Sequence, residues 1–410
     1  MEIMRLEPYR HVLTRPGVLP LVLVALLARV PATAVGITLT LHVVGDLHRG
    51  YGAAGLVGAL STIGMALGSP ALGRLVDRRG LRPMLLLTTV ASAVFWAVAP
   101  ELPYQVLLPV AFVGGALTLP VFSVVRQSLA ALVPEEHRRA AFSIDSMSVE
   151  LSFMVGPALA VIVLTTTSAT ITMWAVGVAL TLAGLGLYGF NPPTRSDEER
   201  AAGRPAERHR VLSPRLVTVL VAIAGATFVF AGTDVGIVAI LRTAHQLNWT
   251  GMVFIAWGAY SILGGFVYGA LPRPWPTFVI MVLVGLCTMP VGLATNWQWL
   301  SLLMAPAGFL CAPVIASSSD AVSRLVPASV RGEAMGWHGS ALTTGTSLGA
   351  PVVGFVLDRY GPVWAFALAG AVGAVVALLA ILVTRRRPDA PADAPAAEPE
   401  AIAVGAGGTP

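Results

Sequence analysis

The chain contains no lysine; all 26 of its basic residues are arginine. Charge of either sign is scarce, at 11% of 410 residues, against roughly a quarter in an ordinary soluble protein. That scarcity excludes a conventional soluble domain of this length. The two cysteines, Cys287 and Cys311, are too few for a disulfide framework and lack metal-ligand spacing. Both are expected to be packing residues, and no metal is expected. No HExxH or Walker sequence occurs, so zinc hydrolysis and ATP as a fuel have no basis here.

Long apolar runs fill the space that charge leaves. A helix of about 20 apolar residues crosses the roughly 30 Å hydrocarbon core of a bilayer. Only helices and closed barrels satisfy every backbone group in lipid. The pattern predicts an all-α polytopic membrane protein with twelve spans, at about 18–44, 52–73, 82–100, 104–132, 140–165 and 168–190, then 215–241, 250–271, 277–295, 298–322, 334–357 and 362–384. The polar stretch 191–214 divides six spans from six. The Ala/Pro/Gly-rich residues 388–410 are expected to be a disordered cytoplasmic tail. The expected domains are a bundle at 1–190, a cytoplasmic linker at 191–214, a second bundle at 215–387, and that tail.

With both termini inside, the arginines fall on the cytoplasmic face or its helix ends, except Arg49, Arg242 and Arg359 outside and Arg29 and Arg126 within spans. This fits the positive-inside rule, so the basic balance reads as a topology signal and no nucleic-acid partner is expected. VLPLVLVALLA followed by Ala32-Thr33-Ala34 loosely resembles a cleavable leader. The apolar run continues through Val44, so span one is expected to be retained. The lack of lysine suggests a GC-rich bacterial genome and hence the bacterial cytoplasmic (cell inner) membrane.

The chain repeats itself. A shift of 193 residues aligns LVPEEHRRAAF (132–142) with LVPASVRGEAM (325–335). It also brings Gly115 onto Gly308, Pro120 onto Pro313 and Gly156 onto Gly349. A shift of 196 aligns LGSPALG (67–73) with LGGFVYG (263–269). Two pseudo-symmetric six-helix bundles from one duplicated unit explain both, and such halves hold their substrate site between them near mid-membrane.

Between the second and third runs stands GRLVDRRGLR, residues 73–82. It resembles the loop between spans two and three of the major facilitator superfamily, with Gly73, Asp77, Arg78, Gly80 and Arg82 on the family pattern and Leu81 replacing a basic residue. The second copy keeps Gly269 but places Arg273 where the register expects the aspartate. The resemblance implies a twelve-span secondary transporter of the drug or metabolite efflux type, with this motif as a conformational latch. SFMVGPALA (152–160) partly resembles an antiporter element of the same superfamily through Gly156 and Pro157, which are expected to bend span five.

Ionisable groups within spans cost about 2.5–3.5 kcal/mol each on insertion scales, so they need partners or a wet cavity. Arg29 lies about twelve residues, or about 18 Å, into span one. Spans four and five form a hairpin that sets Arg126 and Asp145 at equal depth, and the second hairpin does the same for Asp320 and His338. Asp145 and Glu150, then Asp234, are the expected proton carriers, with Arg126 tuning Asp145. Arg29 is expected to balance Glu150 or meet an anionic group of the substrate. Arg29, Arg126, Trp257, Asp320, Trp337 and His338 are the expected cavity residues, with Phe228 and Phe230 as further aromatic walls.

The resulting expectation is a proton-coupled antiporter exporting a small lipophilic or cationic drug or metabolite by alternating access. The alternative is a proton-coupled uptake symporter for a sugar or organic anion. No enzyme activity is expected. No cofactor is expected either, since the proton gradient supplies the energy. The expected partners are a small-molecule substrate, protons and the lipid bilayer, with the chain acting as a monomer.

Overall fold

The computed structural model describes residues 6–201, 211–273 and 275–385. The predicted tail at 388–410 lies outside the described residues, and the linker lies partly outside them. Every regular element among the described residues is helical. Among them, eleven helices are long and apolar enough to cross a membrane. Spans one to six are Val18–Gly45, Gly52–Arg79, Leu81–Glu101, Tyr104–Leu132, Glu135–Thr166 and Ala169–Phe190. Spans seven, eight and ten to twelve are Pro214–Thr243, Leu247–Ala270, Trp297–Leu325, Ala328–Tyr360 and Pro362–Arg385. Span nine is the shorter apolar segment Thr277–Leu293. The face carrying the ends of spans two, four and ten and the starts of spans three, five and eleven is called here the basic face.

Span two runs further than its apolar composition predicts, because nothing in Arg74–Arg79 breaks a helix. Helix formation stops only at Gly80, whose φ of 87° is a left-handed conformation that glycine adopts without strain. The motif GRLVDRRGLR is therefore mostly helix, and its loop shrinks to one residue. Its charges stand on a turn that projects past the apolar layer.

The two repeated prolines behave differently. Pro120 has no amide hydrogen to give, and span four breaks there into Tyr104–Ala116 and Val121–Leu132. Its counterpart Pro313 sits inside the continuous helix Trp297–Leu325. Across from it, Ser261 Oγ of span eight accepts the Ala312 amide at 3.1 Å. A neighbouring hydroxyl thus partners the amide next to the proline, as polar side chains do in lipid.

Small residues set the closest helix pairs. A Cβ on Gly68 would strike the Ala116 carbonyl of span four, and one on Gly264 would strike the Phe309 carbonyl of span ten. These are matching contacts in the two repeats, two against four and eight against ten. Without a hydrophobic drive between helices in lipid, such backbone approach supplies the packing contact. Gly264→Val is therefore expected to cost about 1–3 kcal/mol or more through overpacking. Fluorescence-detected size exclusion after heating reads this as a melting temperature lowered by several degrees, while Gly36→Val, where a Cβ meets open space, leaves it unchanged.

Candidate functional site

Three charged layers lie along the line between the first six spans and the last six. The outermost is on the basic face. There the Asp77 carboxylate reaches the start of the span-eleven helix, accepting the Gly332 amide on Oδ1 at 2.9 Å and the Glu333 amide on Oδ2 at 2.8 Å. The first amides of a helix have no internal partner and carry partial positive charge, so a carboxylate is the natural cap. Gln127 Nε2 donates to the same Oδ1 at 3.0 Å, and Arg195 donates to the Asp77 carbonyl at 3.2 Å. Arg74 Nε donates to Glu333 Oε2 at 2.8 Å, while its Nη2 pairs with Oε1. Gly73 is needed because a Cβ there would strike the Gly332 carbonyl.

Other members of the motif serve locally. Arg78 stands in the last turn of span two, and the Arg82 guanidinium lies 5.6 Å over the Tyr188 ring of span six. Glu199, on the linker helix Asp197–Ala201, pairs with Arg331 at 2.7 Å. Burial would raise the Glu199 carboxyl, but the Arg331 hydrogen bond and the Ser196 amide hold it below its ordinary value. Arg324 joins Glu135 across the same face.

The second layer is buried deeper. Asp145 Oδ1 accepts Arg29 Nη2 at 2.5 Å, and its Oδ2 accepts Arg126 Nε at 3.1 Å. Arg29, Arg126 and Asp145 are 0%, 2% and 1% exposed. The depth pairing of Arg126 with Asp145 is met, but Arg29 goes to Asp145 and not to Glu150. One carboxylate thus serves two guanidiniums and leaves a formal charge of one unbalanced. Among the described residues Arg29 Nε has no hydrogen-bond partner, and the Phe122 ring, stacked on exposed Phe153, covers the Arg29 guanidinium at 5.2 Å.

The third layer centres on Glu150. Its Oε1 accepts the Cys311 thiol of span ten at 3.2 Å, and among the described residues no guanidinium bonds to it. Asp234, on span seven, lies within electrostatic reach of both Glu150 and Cys311. Asp234 is exposed and lines a cavity of about 720 Å³ with Phe254, Arg242 and Asp358. The role of Cys311 was not visible in the sequence, where a lone thiol in an apolar span looks like packing. Only its placement opposite Glu150 reveals it.

Several expected residues stand elsewhere. His338 does not meet Asp320: its Nε2 faces Ser318 Oγ at 3.0 Å, and Asp320 turns to Arg324 at 2.9 Å. Equal depth on a hairpin does not fix rotation, and a guanidinium four residues away on the same helix is the nearer partner. Trp257 is buried edge-on against Phe230 at 6.1 Å, and Phe228 packs against Val353, Ala365 and Ala369. Trp337 is half-buried, with its indole nitrogen unpartnered. Span five carries Pro157 inside a continuous helix, and a Cβ on Gly156 would strike Thr33 and Val30 of span one. Gly345–Gly349 spells the Gly-x-Ser-x-Gly pattern of a nucleophile elbow. It lies inside the helix Arg331–Tyr360, without the strand-turn-helix setting that pattern requires.

Among the described residues, the hydrogen bonds and ion pairs joining the first six spans to the last six lie from the level of Glu150 to the basic face. The basic face is closed in this conformer.

Solved structures share the architecture. The human organic anion transporter MFSD10 superposes with a TM-score of 0.72 at 17% identity, covering 89% of this chain and 100% of its own. A bacterial homologue of the iron transporter ferroportin, in an outward-facing state with soaked iron, gives 0.71 at 13%, covering 90% and 98%. The proton:xylose symporter XylE gives 0.65 at 14%, covering 88% and 94%. At these identities the likeness is one of fold. The profile of the Major Facilitator Superfamily matches residues 21–291 and 271–407, and with that match and its apolar helices the chain belongs to this superfamily, whose members carry small molecules across lipid bilayers.

Proposed function

We propose that the chain is a proton-coupled transporter of a small organic anion, working by alternating access in the bacterial cytoplasmic membrane with the basic face towards the cytoplasm. The observation that carries the reading is Asp145 shared between Arg29 and Arg126. A buried ion pair is tolerable, but an unbalanced buried charge costs several kcal/mol unless something neutralises it. An anionic group on the substrate would do so, with the unpartnered Arg29 Nε as its donor once Phe122 moves aside. Four intramembrane acids against two arginines in the sequence lean towards a cationic or amphipathic substrate; the anion reading is supported instead by both oxygens of Asp145 being taken.

Glu150, with Asp234, is the proton carrier in this scheme. A carboxyl without a cationic partner binds its proton according to its solvation, so exposure to one face or the other changes its occupancy. A proton on Glu150 and an anion at Arg29 attract each other. Their binding is mutually favourable, which makes the two ligands travel together. A cation at the same place would compete with the proton and give exchange. That second reading, efflux of a lipophilic cation by antiport, draws on the tight Gly156 contact between spans five and one and on the partial antiporter element.

Asp77 and Arg74 hold the basic face shut in this reading, so opening must break the caps on Gly332 and Glu333. Asp77→Asn keeps one acceptor but loses the charge, and about tenfold more of the open form is expected. The rate at which a thiol reagent reaches Ser123→Cys, buried behind the latch, measures this against the native cysteines alone. Neutralising partners of the triad gives an asymmetric result. Arg29→Met leaves a balanced Arg126–Asp145 pair and a folded protein. Asp145→Asn leaves two buried cations and is expected to lose about 3–5 kcal/mol of stability, read by thermal aggregation.

Proteoliposomes with a luminal pH dye test the function. A panel of small carboxylates, phosphorylated sugars and lipophilic cations is added outside. Carboxylate- or phosphate-driven luminal acidification is expected, abolished by Glu150→Gln and weakened about a hundredfold in apparent affinity by Arg29→Met. Alkalinisation driven by a cation and untouched by Arg29→Met would replace this reading with antiport.

A further inference from the structure

The two copies of the latch motif face two different interfaces, and only one copy kept its acid. At the first, Asp77 of span two accepts amides from the start of span eleven. At the second, the register puts Arg273 in the place of the aspartate. An arginine has no acceptor to offer a helix N-terminus and is repelled by its partial positive charge. By that logic the interface between spans eight and five should be unlatched. It is not.

The N-terminal helix Glu7–Leu13 lies across this second interface. The Tyr9 hydroxyl donates to the Phe266 carbonyl at 2.7 Å and the Gly265 carbonyl at 3.1 Å, both near the end of span eight. Its ring stacks on Phe266 with centroids 5.3 Å apart, and the residue is 7% exposed. Burial, the largest influence, pushes the phenol above its ordinary range, so it stays protonated and able to donate. Gly269, the repeat partner of Gly73, makes the room: a Cβ there would strike the Tyr9 hydroxyl. From span five, Arg139 donates to the Leu271 carbonyl and places its guanidinium 5.9 Å over the Tyr268 ring.

We propose that Tyr9 and the helix that carries it form a second latch, which replaces the lost acid of the second motif copy with its polarity reversed. At the first interface a carboxylate receives donors from the positive end of a helix. At the second, a phenol and a guanidinium give donors to the negative end of one. Both contacts join the first six spans to the last six on the basic face, so both must break for that face to open. The proposal uses only the alternating-access part of the proposed function and is independent of which substrate or ion is carried.

The test reads the opposite interface, where a purely local role for Tyr9 has no effect. Ser123→Cys, on span four, bonds the Met335 carbonyl of span eleven in its native form and is far in the chain from Tyr9. Tyr9→Phe keeps the stacked ring and removes the donor. It is expected to speed thiol labelling at Ser123→Cys about threefold to tenfold, the range set by one or two hydrogen bonds, and Tyr9→Ala more. Combined with Asp77→Asn, the two factors should multiply. Elution as a monodisperse peak and an unchanged melting temperature establish that each variant is folded. Labelling at Ser123→Cys unchanged in folded Tyr9→Phe and Tyr9→Ala would overturn the proposal. If Tyr9→Ala fails to fold, Tyr9→Phe alone decides it.

Discussion

Two guanidiniums and one carboxylate, all within about 1–2% of complete burial, form the constraint around which the rest of the protein is arranged. Arg29 comes from span one, Arg126 from span four and Asp145 from span five, so the triad ties three helices of the first six together. In a low-dielectric interior this pairing is strong but incomplete. In the proposed function the unbalanced charge makes the site selective by sign; the triad sits between the Glu150 layer and the Asp77 contacts on the basic face.

The order of the layers gives the cycle its logic. Exposed Asp234 and the Glu150–Cys311 contact lie farthest from the basic face, the triad between, and the Asp77 contacts at the basic face itself. In the proposed function, anion binding removes the buried cationic excess and lowers the cost of rearranging the interface, while the caps on Gly332 and Glu333 hold it until then. The helix end capped by Asp77 and the helix end gripped by Tyr9 have opposite dipole signs. The two interfaces can therefore be closed by different chemistry although they descend from one repeated unit.

Much of this was legible in the sequence. Twelve apolar runs, the repeat and the motif at 73–82 fixed the architecture, and hairpin depth alone brought Arg126 to Asp145. The failures share a cause. Depth along a helix is readable from residue counts, but rotation about its axis is not, so depth pairs His338 with Asp320, and leaves Arg29 open to Glu150 or a substrate anion, where the structure gives Ser318 and Asp145. The sequence also treats a span as ending where polarity begins, whereas the span-two helix continues to Arg79 and stops only at the positive φ of Gly80. Cys311 and Tyr9 were invisible for another reason: neither belongs to a motif, and each acquires its part only from what the opposite half places beside it.

In the proposed function, proton and substrate bind together because the substrate is an anion. Titration calorimetry on the purified protein, repeated in buffers of different ionisation enthalpy, counts protons exchanged per ligand bound. The account predicts uptake of about one proton for each organic anion bound, and no uptake in Glu150→Gln. Release of a proton on binding of a lipophilic cation, with no response to any anion, would contradict it.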